Sequence, residues 1–301
     1  MQRTEYIELD QTILEALPVR KKRSNKGTYG KVLCIAGSRN MAGAAYLCAH
    51  AAYRTGAGLV RVLTPEENRV IIQTLIPEAV LTAFDSREPA LEVLREAFSW
   101  ADVIAVGPGI GKEPWAEQFV ELVLKEYHKP VVIDADGINH LAKHPGWLSD
   151  RQGSYPEQTG APVILTPHVG EFSRLTGRAV PDILEHIPEY AAFYAREHGC
   201  ICVLKDAPSA VGAPDGRCWV NTTGNNGMST GGSGDVLTGI IAGLLAQKTD
   251  ATEAALLGVW LHGRAGDLAA AKEGVYGLLA RHLIEYLPGA MRAPEEESEE
   301  R

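Results

Sequence analysis

The sequence predicts an α/β protein built on a mostly parallel, doubly wound sheet with helices on both faces. Two observations carry this expectation. Residues 32–36, 59–63, 103–106, 131–134, 163–166 and 201–205 are short, nearly continuous apolar runs, as strands covered on both faces are. Amphipathic stretches such as 44–54, 114–125 and 182–197 lie between them. That alternation implies parallel strands joined by right-handed helical crossovers.

Beyond residue 205 the pattern changes. Residues 210–211 and 218–220 flank Pro214-Asp215-Gly216, a turn signal joining two short strands. Helical runs over 235–246, 251–270 and 278–286 then close the fold. With no linker composition and no repeat, residues 26–290 read as one domain behind an N-terminal segment, 1–25. Residues 145–160 are polar and rich in turn formers, which suggests a surface loop. Residues 291–301 are dominated by Glu and read as a disordered, solubilising tail.

Composition narrows function by exclusion. At 45% hydrophobic and 22% charged residues the chain has the make-up of a folded soluble protein, and a net charge of −9 argues against a nucleic-acid partner. Cys34, Cys48, Cys200, Cys202 and Cys218 form no Cys-x-x-Cys pair; Cys34 and Cys202 fall inside apolar runs, which suits free thiols in a reducing compartment. The start, MQRTEYIELD, lacks the apolar core of a secretory signal, and the longest uncharged apolar stretch, 236–246, is about half a membrane span. The expectation is a cytoplasmic protein with small-molecule partners and no membrane contact.

The segment best suited to chemistry runs NTTGNNGMSTGGSGDVLTGIIAGLLAQ, from Asn221 to Gln247. A glycine-dense loop feeds directly into an apolar helix whose start falls near Ser233 or Gly234. Glycine lets successive backbone N–H groups point into one space, and the helix start adds unpaired donors and the positive end of its dipole. Gly232, Ser233 and Gly234 are therefore the expected anion hole, suited to a nucleotide phosphate. Asp235 follows in the first helical turn. A carboxylate there repels phosphate, but it suits accepting a proton from a hydroxyl that attacks phosphorus. The plainer alternative is that Asp235 only caps the helix. No Gly-Lys-Ser/Thr follows, which excludes a standard P-loop.

Other strand ends offer supporting groups. Gly107-Pro108-Gly109-Ile110-Gly111 has the wrong spacing for a dinucleotide fingerprint, and Pro108 lacks a donor, yet such turns line the cleft of open α/β sheets. Thr166-Pro167-His168-Val169-Gly170-Glu171 places His168 at a helix start, where it can donate to a phosphate or carbonyl. Asp134-Ala135-Asp136 either holds a metal-bound water or caps the next helix. His140 and His144 have the spacing of a zinc pair but no further ligand motif nearby. The basic run Arg20-Lys21-Lys22-Arg23 reads as a solvated segment.

Taken in order, Lys26-Gly27-Thr28-Tyr29-Gly30-Lys31-Val32, Ala36-Gly37-Ser38, Met41-Ala42-Gly43-Ala44-Ala45, the GPGIG turn, LTPHVGEF and GNNGMSTGGSGDVLTGIIAGLLAQ resemble the ADP-dependent NAD(P)H-hydrate dehydratases of the ribokinase-like superfamily. The resemblance runs from about Lys26 to about Pro288 and implies a ribokinase-like fold. It also implies a cofactor-repair lyase: the S hydrate of NADH or NADPH is phosphorylated from ADP, phosphate leaves, and the ring double bond returns. AMP and phosphate are the by-products. By position, Asp235 matches the family's catalytic base and a contact to the hydrate. Ala44, Gly109 and His168 match further contacts to the hydrated dinucleotide, and Gly234 a contact to the adenine nucleotide. The family's Lys-Gly-x-x-Thr nucleotide segment here reads Lys205-Asp206-Ala207-Pro208-Ser209. Lys205 and Ser209 persist, while Asp206 and Pro208 change charge and backbone freedom beside the phosphates. Mg2+ is expected with ADP, its ligands unassigned, and a homo-oligomer is implied, tetramers being common in the family. Some relatives carry an epimerase domain ahead of this one. The residues before Lys26 are too few for it, so the expectation is one epimer and no epimerase activity. Two other functions share these residues: a vitamin or sugar kinase using ATP, and a non-catalytic nucleotide sensor.

Overall fold

The computed structural model describes residues 4–87, 91–153 and 161–292. One sheet holds β1 Ile7–Glu8, β2 Lys31–Ile35, β3 Leu59–Pro65, β4 Val80–Phe84, β5 Val103–Val106, β6 Val131–Ile133, β7 Val163–Leu165, β8 Ile201–Leu204, β9 Ser209–Gly212 and β10 Cys218–Asn221. Their spatial order is β1-β10-β9-β8-β7-β6-β5-β2-β3-β4. Among the described residues, only β9 runs against its neighbours, β8 and β10. Strands β5 to β8 are buried along their whole length, which is why they read as unbroken apolar runs. The chain leaves β2 for β3 and β4 on one side and comes back to β5 on the other. The β2–β5 boundary is thus the switch point, where an open sheet leaves a crevice at its carboxyl ends.

The helices are α1 Ala42–Thr55, α2 Arg69–Leu75, α3 Leu91–Trp100, α4 Pro114–Glu126, α5 Ala135–Lys143, α6 Gly146–Gly153, α7 Val169–Thr176, α8 Val180–Glu185, α9 Ile187–His198, α10 Ser233–Ala246, α11 Ala251–Glu273 and α12 Ala280–Ala290. α1, α10, α11 and α12 bury one face of the sheet; α3, α4, α5, α7 and α9 bury the other. α10 lies against α1 with almost no space between backbones. A Cβ on Gly239 would collide with the carbonyl oxygen of Cys48, and one on Gly243 would come within 2.8 Å of that of Ala52. Those two glycines of the long motif therefore serve helix packing. Among the described residues no helix is long and apolar enough to cross a membrane.

Three expectations need correction. Residues 146–153 of the expected 145–160 loop are helix α6. Buried Arg151 ties it down, donating to the carbonyls of Tyr127 (2.6 Å) and Lys129 (2.9 Å); residues 154–160 lie outside the described set. The single helix expected over 182–197 is two, α8 and α9, meeting at His186. Pro188 has no N–H to continue the ladder, and its ring opposes the carbonyl four residues back. The N-terminal segment is also more than a lead-in, because Ile7 and Glu8 pair in parallel with Trp219 and Val220. Apart from Met291 and Arg292, the expected acidic tail lies outside the described residues.

Candidate functional site

Five strand ends converge, and their loops are laced together by backbone hydrogen bonds. Gly37 N–H donates to Pro108 O (2.8 Å), Thr166 N–H to Ile133 O (3.1 Å) and Lys205 N–H to Pro167 O (2.8 Å). At the switch point Gly109 adopts φ +61°, and a Cβ there would sit 2.8 Å from the Cβ of Ala44. The start of α1 and the turn after β5 thus meet, bringing Ala44 and Gly109 together. The far end of that turn is anchored from α5. Asp136 Oδ2 accepts the Gly111 N–H (2.9 Å), and the buried His140 ring contacts Gly111 O (2.9 Å). Asp136 therefore holds the GPGIG turn in place.

On the other side of the cleft α10 begins. Gly232 is its N-cap at φ +92°, with no side-chain capping bond. Asp235 is the third residue of the helix, in its first turn. Beside the helix start stands an ion pair between distant strand ends. Lys205 Nζ donates to Asp134 Oδ1 (2.8 Å) while Thr238 Oγ1 donates to Asp134 Oδ2 (2.7 Å). Gly234 closes over this pair, since a Cβ on it would lie 3.0 Å from Lys205 Nζ.

The electrostatics follow from those contacts. Burial pushes Asp134 up, but the Lys205 ammonium and the hydroxyls of Thr238 and Thr166 outweigh it and hold the carboxyl below its ordinary value. Burial likewise disfavours the charge on Lys205, yet Asp134, Glu171 and Asp235 raise it overall. Asp235 has no such donors. Burial pushes it up to about 7, the negative charge of Asp134 adds to that, and Lys205 only partly opposes it. The result is a carboxyl raised toward neutrality in the first turn of α10, within the field of the Lys205 ammonium.

The other anticipated residues divide. Ser233 and Gly234 open α10 behind Gly232, where they were expected. His168 caps α7: its Nδ1 accepts the N–H groups of Gly170 (2.9 Å) and Glu171 (3.3 Å). That leaves the proton on Nε2, which faces Glu171 Oε1 at 3.3 Å. His168 also pairs by backbone with Lys205, so it sits on the same rim. Asp206, Ala207, Pro208 and Ser209 fold on themselves. Asp206 Oδ1 accepts the Ala207 N–H (2.9 Å) and Ser209 Oγ donates to Asp206 O (2.8 Å). Of this segment, Lys205 reaches Asp134 and Gly234.

His140 and His144 both turn to Glu117, which also takes Lys143. They are held by an acidic side chain, and among the described residues no group of three His, Cys, Asp or Glu is placed to hold a metal. Arg20 stacks 3.8 Å over Tyr29 and donates to Gly56 O (2.7 Å), so part of the basic run has a structural task. Sequence reasoning missed Thr238, whose signal was being the sole polar residue within 236–246. It also passed over Glu171, which accepts the His168 N–H, and His262, whose ring contacts Ser233.

A family model described as NAD(P)H-hydrate dehydratase matches residues 32–289. The bifunctional NAD(P)H-hydrate repair enzyme Nnr of Moorella thermoacetica is 41% identical over 94% of this chain and 53% of its own. This chain thus spans about half the length of that relative. The ADP-dependent (S)-NAD(P)H-hydrate dehydratase of Bacillus subtilis is 37% identical over 93% of this chain and 95% of its own. A crystal structure of an ADP/ATP-dependent NAD(P)H-hydrate dehydratase from Bacillus subtilis, co-crystallised with ATP/Mg2+, superposes with a TM-score of 0.81 at 35% identity, covering 95% of this chain and 97% of that one. With the glycine-rich helix start, its carboxyl and the strand-end cleft all inside the matched span, this chain belongs to the NAD(P)H-hydrate dehydratase family.

Proposed function

We propose that this protein restores NADH and NADPH from their S hydrates at the expense of ADP. The observation that carries the reading is Asp235, in the first turn of α10 behind its glycine-rich start, with its carboxyl pushed up by burial to about 7. A base near working pH balances availability against proton affinity. The hydrate's ring hydroxyl attacks the β-phosphorus of ADP, Asp235 takes the hydroxyl proton, and AMP leaves with the electron pair of the broken P–O bond. The N–H groups at the start of α10 and the Lys205 ammonium stabilise the charge gathering on phosphate oxygens. The new ester then departs as phosphate with its C–O electron pair, the adjacent ring carbon loses a proton, and the double bond returns.

The two ligands fit two halves of one cleft. The nucleotide's phosphates belong at the start of α10, and the hydrated dinucleotide along the strand ends from Ala44 and Gly109 at the β2–β5 crevice to His168 at the start of α7. Magnesium enters as the ion of the diphosphate, because every carboxylate around Asp235 is committed: Asp134 to Lys205 and Thr238, Asp136 to Gly111 and Asn139, Glu171 to His168. These residues do not form a resident metal site, whereas Mg2+ carried by phosphates keeps most of its ligands from nucleotide and water.

Two further expectations belong to this proposal. A homo-oligomer is supported by an exposed apolar row, Val70, Ile71 and Leu75 of α2 with Val80 of edge strand β4; light scattering tests it. A cytoplasmic location is supported by five free, buried thiols. The main experiment incubates the protein with hydrated NADH and either ADP or ATP, following the return of dihydronicotinamide absorbance. No recovery with either nucleotide, alongside phosphorylation of a vitamin or sugar, would overturn the assignment.

A further inference from the structure

We propose that His262 and Asp267, both on helix α11, are positioning residues that hold the nucleotide loop in its binding shape. This rests on the loop being the phosphate site. Residues 223–233 are rich in glycine, and Gly231 and Gly232 in particular give the chain little stiffness of its own. Left alone, such a loop would have to be ordered by the ligand, at a cost to affinity. α11 supplies the missing restraint by running beneath the loop.

Two small residues permit the approach. A Cβ on Gly263 would collide with Thr223, and one on Gly266 with the thioether of Met228. Polar groups on the same helix then grip the loop at both ends. At its beginning, Asp267 Oδ2 accepts the Gly224 N–H (2.9 Å) and Oδ1 accepts from Asn225 Nδ2 (2.9 Å). At its end, His262 Nε2 donates to the carbonyl of Ser233 (2.9 Å), with Ser233 Oγ at 3.3 Å from the same nitrogen.

The chemistry of each group suits its place. Burial disfavours the charged imidazole and holds His262 down to about 4, so it is neutral and gives Ser233 a donor without a charge. Asp267 presents a separate acceptor oxygen to each of its two donors, where an amide would put an NH2 group against one of them. Ser233 is the first residue of α10, so fixing its carbonyl orients the amides of Ser233, Gly234 and Asp235 together. Neither His262 nor Asp267 reaches the phosphates; both act through the backbone they hold.

The test compares three single variants of the full chain by AMP calorimetry and by ADP-dependent turnover. His262→Leu keeps the bulk and removes the donor; AMP affinity should fall about tenfold, the worth of one hydrogen bond. KM for ADP should rise in step, with KM for the hydrate little changed. His262→Gln places an amide nitrogen near the same point and should recover most of the loss. Asp267→Asn leaves one loop donor unmatched and should weaken AMP severalfold. Should His262→Leu fail to fold, the Gln and Asn variants carry the same comparison. AMP affinity within twofold of wild type in Leu and Asn variants, with only thermal stability lowered, would overturn the proposal. An AMP split without any hydrate turnover would support these roles while overturning the dehydratase reading. No AMP binding by the wild type would overturn both.

Discussion

The end of β6 and the start of α10 each offer a carboxyl group to the same ammonium, and the two titrate in opposite directions. Asp134 is 1% exposed, yet it is held low because Lys205 and Thr238 donate directly to its two oxygens. Asp235 has no direct donor and feels the charge of Asp134 as well as burial, so it rises to about 7. The difference teaches that burial alone does not set protonation. Placement of a single lysine spends its charge on one carboxylate and leaves the other raised toward neutrality.

Removing the base should break the comparison most severely. Asp235→Asn keeps shape but cannot take a proton, so turnover should fall by about 10²–10⁴, or roughly 3–5 kcal/mol of barrier. AMP binding should hold or tighten as repulsion is relieved. Retention of more than about a tenth of wild-type turnover would sink the catalytic assignment.

Next in size is the loss of the shared ammonium. Lys205→Met leaves Asp134 buried without its partner, which should cost about 3 kcal/mol of stability in denaturant melts and weaken nucleotide binding. Lys205 is itself 19% exposed, which keeps this below the largest such losses. Adding Asp134→Asn should return stability but not activity. If the single variant melts with wild type, the pair is not what holds Asp134 down.

A smaller effect is expected from Gly232→Val. At φ +92° a side chain costs about 1–2 kcal/mol, and its Cβ would run into Leu47. The α10 start should shift and AMP affinity drop; unchanged calorimetry would mean the loop tolerates a different cap.

The smallest effect sharpens the contrast through pH. In the native protein Asp235 keeps a proton that the unfolded chain releases near its ordinary 3.8, so its stabilisation is present below that value and lost as pH rises toward about 7. The melting temperature of Asp235→Asn should therefore gain on wild type between pH 4 and pH 8 by a few degrees. Turnover of the wild type should climb through about pH 7 as the base ionises. A flat difference across that window would mean that Asp235 is not raised.

Much of the frame was legible along the chain. β2 and β5 to β8 announce themselves because burial on both faces demands unbroken apolar runs. β4 did not, since on the sheet edge only Phe84 of its five residues is buried. The helix break at His186 could have been read from Pro188, and the α6 helix could not, being held by Arg151 reaching carbonyls 22 and 24 residues away. In the site, the glycine-dense helix start with Asp235 in its first turn is a local pattern, and it stood in the sequence whole. His168 was correctly placed at a helix start, but its cap geometry is a matter of side-chain direction.

By itself the sequence determined the α/β class, the glycine-rich helix start and a carboxyl in its first turn, because each depends on residues close together in the chain. Tertiary structure alone decided what that carboxyl is. Lys205 meets Asp134 across 71 residues and Thr238 meets it across 104, and no local pattern encodes such a meeting. Only when β6, β8 and α10 are packed does one buried carboxylate receive the donors while the other is left without them. Coulomb and desolvation energies depend on distance in space, which chain position does not give.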